Sequence, residues 1–340
     1  VIKMFNARRF GSRLRKPLAV GALIAIPLGG LPEHVTAQPA AYPTRAVRVI
    51  VPFPPGASTN DILGRLISAR LSEATGQQFI VENRAGAGGT IGTELGAKAA
   101  PDGYTLLIGT NGPIAIGPHV YRKLGYDPLK DLQPVTLFAM VPYAIIVNPS
   151  LPANNLSELV ALAKASPGRL NYASSGNGSP AHLCGELLRG QTGIDITHVP
   201  YKGGAPAAND LIAGQVQIYC PGLSSVLSLV RSGKLRALAV TMPQRTPFLP
   251  DVSTSVEQGL PGLSVNSWVG LMAPSGVPAA VIERLHREIS RLVQDPEVRA
   301  TIEKNGAEPA AVGPSEFAKF LAAESSKWRE VVVRAKLTLD

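Results

Sequence analysis

The chain has 340 residues, of which 45% are hydrophobic and 17% charged, and a formal net charge of +9. That length and apolar content suffice for a sizeable core and for two domains, and they exclude an intrinsically disordered chain. The charge does not point to nucleic acid: six Lys/Arg and one Glu lie in residues 1–37, the remainder carries only +4, and no basic stripe with interleaved aromatics follows.

Residues 1–37 read as a secretory signal peptide. Lys3, Arg8, Arg9, Arg13, Arg15 and Lys16 precede an apolar run over 17–31, and Val35-Thr36-Ala37 supplies a small-residue cleavage site. Cleavage is expected after Ala37, with export to the periplasm of a Gram-negative cell. The apolar run is short and broken by Gly and Pro, so it does not read as a membrane span, and no Cys near the cleavage site would carry a lipid. The residues after Arg8-Arg9, Phe10-Gly11-Ser12, do not complete a twin-arginine signal, which leaves general secretion. No later run of 20 apolar residues exists, so the mature chain is expected not to span a membrane.

From Arg48 onward short β-branched runs, small-residue turns and amphipathic helices alternate, the pattern of an α/β fold with parallel strands covered by helices. Strands are predicted over 47–52, 78–82, 104–109, 144–147, 170–173, 196–200, 216–219, 235–241 and 268–273. The first helix, over 61–75, places Ile62, Leu63, Leu66, Ile67 and Leu71 on one stripe; it follows the cap candidates Ser58-Thr59-Asn60 and stops at Gly76. Two more helices are expected over 278–294 and 315–334. The run divides near Val141-Pro142 and returns near 259–262. This predicts a discontinuous lobe of 42–142 and 263–340, an inserted lobe of 143–262, and a cleft between them. Cys184 and Cys220 are the only cysteines. Two cysteines in an oxidising compartment can pair, but the apolar or small neighbours of both favour two buried free thiols.

Three loops leave predicted strands and carry small residues. The first, 51–61, runs through Pro52-Phe53-Pro54-Pro55-Gly56-Ala57-Ser58-Thr59-Asn60 into a helix, whose unsatisfied N–H groups suit an anion. The second, 172–180, offers Ser174, Ser175 and Ser179 with Gly176, Asn177 and Gly178. The third is Thr110-Asn111-Gly112-Pro113. Loops at the carboxyl ends of strands are where open α/β sheets bind ligands.

Pro52-Phe53-Pro54-Pro55-Gly56, Val81-Glu82-Asn83-Arg84-Ala85-Gly86-Ala87-Gly88-Gly89, Pro101-Asp102-Gly103-Tyr104-Thr105-Leu106, Ser174-Ser175-Gly176, His198-Val199-Pro200-Tyr201-Lys202-Gly203 and Trp268-Val269-Gly270-Leu271 resemble the signature segments of the Bug family. These are the extracytoplasmic solute receptors of tripartite tricarboxylate transporters, and the resemblance runs in order from about Tyr42 to the C-terminus. It implies a type II periplasmic binding protein, two α/β lobes joined by a double crossover. It further implies a monomer that is not an enzyme, takes no cofactor or metal, binds a small carboxylate and delivers it to large and small membrane subunits. By the same resemblance the first clasp on the ligand is Phe53 with Gly56, Ala57, Ser58 and Thr59, and the second is Ser174, Ser175, Gly176, Asn177 and Ser179. Thr110 and Asn111 form the floor. Two departures stand out: Ala57 replaces a usual Gly, and Cys220-Pro221-Gly222 lacks an Asp that could meet a ligand ammonium.

Other functions fit less well. In Arg84-Ala85-Gly86-Ala87-Gly88-Gly89-Thr90-Ile91-Gly92 the third glycine of a dinucleotide fingerprint would fall on Ile91, so the segment reads as a close-packed turn. No serine lies in G-x-S-x-G, and the histidines 34, 119, 182, 198 and 286 have no metal-binding spacing. His182 is expected at a helix end and His198 in the core. Tyr201-Lys202-Gly203-Gly204 reads either as a solvated turn or as a segment at the lobe interface, where Tyr201 would face the ligand and Lys202 would meet an anion's far end; Asp61 is expected in a helix's first turn. A sensor that binds the same ligand to signal, not to transport, would use the same cleft.

Overall fold

The computed structural model describes residues 42–56 and 58–338; the expected leader and Ala57 lie outside the described residues. The chain opens with β1 (Val47–Val51), α1 (Thr59–Thr75), β2 (Phe79–Asn83), α2 (Thr90–Ala97), β3 (Thr105–Gly109), a π-helical turn over Gly112–Ile116, α3 (Gly117–Val120) and β4 (Leu132–Pro142). A second series follows: β5 (Ala144–Val147), α4 (Leu156–Ala165), β6 (Leu170–Ser174), α5 (Pro180–Thr192), β7 (Ile196–Pro200), α6 (Gly204–Ile212), β8 (Ile218–Tyr219), α7 (Leu227–Arg231) and β9 (Arg236–Val240). The chain then returns through β10 (Asn266–Pro274), α8 (Ala279–Leu292), α9 (Pro296–Lys304), β11 (Glu308–Val312) and α10 (Pro314–Ala335).

These strands form two sheets, ordered β11-β4-β10-β3-β1-β2 and β7-β6-β8-β5-β9. Both are mixed, which corrects the expectation of parallel sheets. β1 pairs in parallel with β2 and β3, but β10 enters from the second sheet and so runs antiparallel to both β3 and β4. In the second sheet β6 is parallel to β7 and β8, whereas β5 opposes β8 and β9.

Local chemistry accounts for most elements. In β1 Val47, Val49, Ile50 and Val51 are fully buried, as expected of a strand covered on both faces. α1 starts where the Ser58 hydroxyl accepts the Asp61 N–H and stops at Gly76, which takes the left-handed φ of 70° that a helix terminus requires. Its buried stripe is Leu63, Ile67 and Leu71 at i, i+4, i+8; Ile62, expected on that stripe, is exposed.

Three elements escaped the sequence reading. β4 carries Pro134 and Pro142, signals against a central strand, yet it pairs with β10 along its whole length; Pro134 sits opposite Met272 beside a register shift, where no ladder hydrogen bond is demanded of it. β11 holds Pro309 and is tolerated as an edge strand. α9 is capped by Asp295, whose carboxylate accepts the Glu297 and Val298 N–H groups, with Pro296 in its first turn.

The cysteines correct a further expectation. Cys184 on α5 and Cys220 after β8 form a disulfide, with Cα atoms 6.2 Å apart. Burial was read correctly, since the two are 0% and 3% exposed. What the sequence hides is that α5 packs on β6 and β7 while β8 pairs with β6, which sets the two sulfurs against each other.

Two chain crossings run side by side between the sheets. At one, β4 passes through Tyr143 into β5; at the other, Thr241 accepts the Val265 N–H at 2.9 Å while its own N–H reaches the Tyr143 carbonyl, also at 2.9 Å. α10 serves both cores: Phe317 and Leu321 pack with Trp268, while Trp328, Val331 and Val332 pack with Leu183 and Cys184.

Candidate ligand-binding site

A cavity of about 380 Å³ opens where loops from both sheets meet. From the first sheet come Phe53, Asn60, Gly88, Thr110, Asn111 and Ser267; from the second come Ser175, Asn177, Gly178 and Ser179; Tyr143 lies at the crossing. Ile116, Val120 and Tyr121 add an apolar wall built by the π-helical turn and α3. Among the described residues, no charged side chain lines this cavity.

Each wall is locally determined. The first loop is anchored from below by Asp61, a fully buried carboxylate in the first turn of α1. It accepts the Gly56 N–H at 2.7 Å, Asn83 Nδ2 at 2.6 Å and Arg65 Nε at 3.0 Å, while Asn83 Nδ2 also donates to the Phe53 carbonyl at 2.8 Å. Burial by itself would raise this carboxyl's pKa, but the hydrogen bonds from Asn83, Gly56 and Arg65 outweigh it and hold the group below its ordinary value.

The floor is a closed polar network at the end of β3 and the start of β10. Thr110 Oγ1 lies 3.1 Å from Ser267 Oγ, Ser267 donates to Asn111 Oδ1 at 2.8 Å, and Asn111 Nδ2 donates to the Asn266 carbonyl at 2.7 Å. It exists because β10 runs antiparallel to β3 and brings Ser267 against Thr110.

The second loop turns between β6 and α5. The Ser179 hydroxyl caps α5 by accepting the His182 N–H at 3.3 Å and donates to the Gly176 carbonyl at 2.7 Å. Gly176 and Gly178 have φ of 129° and 72°, a backbone that only glycine adopts without strain, and this folds the loop back over the helix start. Two helix N-termini, those of α1 and α5, thus border the cavity and lend it positive potential.

The thirteen residues expected at the site divide into three sets. Phe53, Thr110, Asn111, Ser175, Asn177 and Ser179 line the cavity. Gly56, Ser58, Thr59, Ser174, Gly176 and Tyr201 lie off it: the Gly56 N–H is taken by Asp61, Ser58 caps α1, and Thr59 reaches across to Ser224 Oγ at 3.4 Å. Ser174 is buried against His198 Nε2 at 2.7 Å, and the Tyr201 hydroxyl donates to Asp210 at 2.7 Å. Ala57 falls outside the described residues. Lys202 is exposed and does not line the cavity.

Several lining residues were missed. Tyr143 follows Val141-Pro142, already read as a crossing, and Ser267 precedes the Trp268 motif, so both had a signal nearby. Gly88 belongs to the glycine-rich 84–92 segment, whose close packing is plain at Gly92: a Cβ there would come within 2.4 Å of the Arg84 carbonyl and 2.9 Å of Pro52.

The family profile described as a tripartite tricarboxylate transporter family receptor matches residues 63–337. The chain belongs to the tripartite tricarboxylate transporter receptor family. Protein BugT of Bordetella pertussis is 39% identical over 310 residues, covering 91% of this chain and 94% of that protein. A solved structure described as a periplasmic transporter is 41% identical, covering 88% of this chain and all of its own, with a TM-score of 0.76. An R. palustris protein with adipate is 38% identical, covering 87% and 99%, also with a TM-score of 0.76. As a member of this receptor family the chain is a solute-binding component of a transport system and not an enzyme, and its two mixed α/β sheets are the two lobes of a periplasmic binding protein fold. Among the described residues no helix is long and apolar enough to cross a membrane.

Proposed function

We propose that this receptor, exported to the periplasm and freed of residues 1–37, binds a small organic acid in the cavity and delivers it as a monomer to the large and small membrane subunits of a tripartite transporter. The lobes are 42–142 with 263–340, and 143–262, hinged at Tyr143 and Thr241. One carboxylate sits between the two loops, held by neutral side chains and backbone N–H groups under the two helix N-termini.

The observation that carries this reading is the character of the lining. It is rich in neutral donors, has an apolar wall and carries no charged side chain among the described residues. Such a site takes an anion through N–H groups and hydroxyls and has nothing to neutralise a cation. The adipate found with the R. palustris relative fits the same chemistry.

Linear C4–C8 dicarboxylates are expected to raise the melting temperature, and sugars or polyamines are not. At 100 times Kd the linkage is about 2.7 kcal/mol, well within a thermal-shift measurement. Amino acids of matching length are expected to bind less tightly, because an unpaired buried ammonium costs several kcal/mol. Stabilisation by a sugar and by no acid would overturn the assignment.

Asn177 supplies a sharper test. Its side chain lines the cavity and has no hydrogen-bond partner among the described residues, so Asn177→Ala removes a ligand contact and little else. Calorimetry is expected to show binding weakened about five- to ten-fold, with the ligand-free melting temperature unchanged. Equal affinities for wild type and variant would remove Asn177 from the site.

A further inference from the structure

Behind the second loop, on the side away from the cavity, two histidines stack face to face. The rings of His182, on α5, and His198, on β7, lie 3.8 Å apart at 4°, and Tyr172 on β6 stacks against His198 at 4.9 Å. Both rings are tied to the loop. His182 Nδ1 accepts the Gly178 N–H at 3.1 Å, and His198 Nε2 lies 2.7 Å from Ser174 Oγ, which in turn accepts the Gly176 N–H at 3.1 Å. The two imidazoles therefore hold both ends of the segment that presents Ser175, Asn177 and Ser179 to the cavity.

We propose that His182 and His198 are positioning residues for this clasp, and that His182 holds the 174–179 loop in its ligand-ready shape only while its ring is neutral. The inference rests on the cavity being the ligand site, but the loop contacts it invokes exist without ligand.

The chemistry follows from the donors. To accept the Gly178 N–H, His182 must keep its Nδ1 lone pair, so its proton is on Nε2. A second proton at Nδ1 would set a donor against a donor and detach Gly178. Stacking at 3.8 Å further means that a charge on one ring opposes a charge on the other. The other groups facing the pair are Glu186 and Arg189 on α5 and Tyr172 on β6. Glu186 Oε1 lies 4.0 Å from His182 Nε2, but it is already engaged by Arg189 at 2.9 Å and by the Tyr172 hydroxyl at 2.5 Å, so it offsets little of that repulsion. Burial, followed by the neighbouring His182, pushes His198 down to about 4, and burial likewise lowers His182. For a base whose folded pKa is depressed, the stabilising contribution is complete above the unfolded value of about 6.5 and is lost as pH falls through the folded one. The clasp is thus expected to be firm at pH 7 and to loosen between about pH 6 and 4.

The test compares wild type, His182→Leu and His182→Asn, the last of which places an acceptor oxygen near the Nδ1 position but cannot take up the proton. Amide hydrogen exchange of the 174–183 segment in the ligand-free protein, corrected for intrinsic exchange rates, reads the loop directly. Protection is expected to fall about ten-fold in His182→Leu at pH 7.5, to be restored in His182→Asn, and to decline from pH 6 to 4.5 in wild type but not in His182→Asn. Adipate affinity measured in parallel should follow protection, and the ratio of wild type to His182→Asn removes the ligand's own titration. Should His182→Leu not fold, the pH series of the other two proteins decides. Parallel profiles for wild type and His182→Asn, or unchanged protection in a folded His182→Leu, would overturn the proposal. Exchange that behaves as expected in a protein that binds no dicarboxylate would instead retire the ligand assignment and leave the loop-positioning role standing.

Discussion

Replacing Asp61 by Ala is expected to lower the unfolding free energy by about 3 kcal/mol and to abolish tight ligand binding with it. The carboxylate is fully buried and satisfies three donors, the Gly56 N–H, Asn83 Nδ2 and Arg65 Nε. Its removal leaves the Gly56 N–H and an Asn83 N–H, both in part-buried hydrogen bonds, without their acceptor. Arg65 contributes less, because its side chain is 47% exposed and returns to water. Asn83 also holds the Phe53 carbonyl, so the loop that carries Phe53 to the cavity is loosened at both ends. The pH dependence has a definite sign. Because the folded carboxyl titrates below its ordinary value, its stabilising contribution is complete above about pH 4 and is lost as pH falls through the lower folded value. Urea melts of wild type and Asp61→Ala at pH 7 and pH 3 check this. A variant as stable as wild type at pH 7, or a difference that grows on acidification, would show that Asp61 is not the anchor.

Breaking the Cys184–Cys220 bond is expected to cost about 4 kcal/mol. The cross-link closes a loop with a sequence separation of 36, and the chain-entropy estimate for a loop of that size is about 4 kcal/mol. The bond ties α5, which carries the second loop at its N-terminus, to the segment just after β8. Loss of the cross-link should therefore reduce ligand affinity as well as the melting temperature. Cys184→Ser with Cys220→Ser, or melts with and without reductant under denaturing exchange, measure the effect. A double variant with the wild-type melting temperature would restore the picture of two independent buried thiols. The same reasoning implies a less stable product when the chain folds in a reducing compartment.

Much of the architecture could be read from local signals. β1 is a run of β-branched residues, and α1 has a serine cap, an apolar stripe and a glycine stop. Neither needs tertiary information. β4 illustrates the opposite case, because a proline argues against a central strand, and Pro134 is accommodated beside Val135, an extra residue in β4 that shows only when β10, more than a hundred residues away, pairs with it. The candidate site divides along the same line. Phe53, Asn111 and Asn177 sit in loops that small residues and capping signals mark from sequence. Gly56 shows the limit: its N–H was expected to face a ligand, and it faces Asp61. Composition indicates that a loop has donors to offer; only the folded backbone determines which way each one points.

By itself the sequence determined the fold class, the loops rich in donors and the segments that mark the receptor family, because periodicity, capping and turn chemistry act over a few residues. The tertiary structure decided what depends on residues far apart in the chain: the mixed direction of the sheets, the Cys184–Cys220 pairing, the Thr110–Ser267–Asn111 floor and the His182–His198 stack under the second loop. Each of these requires two or more segments to arrive at one place in a given orientation. Orientation is set by how strands cross between sheets and helices lie over them, and local residue preferences carry no record of it.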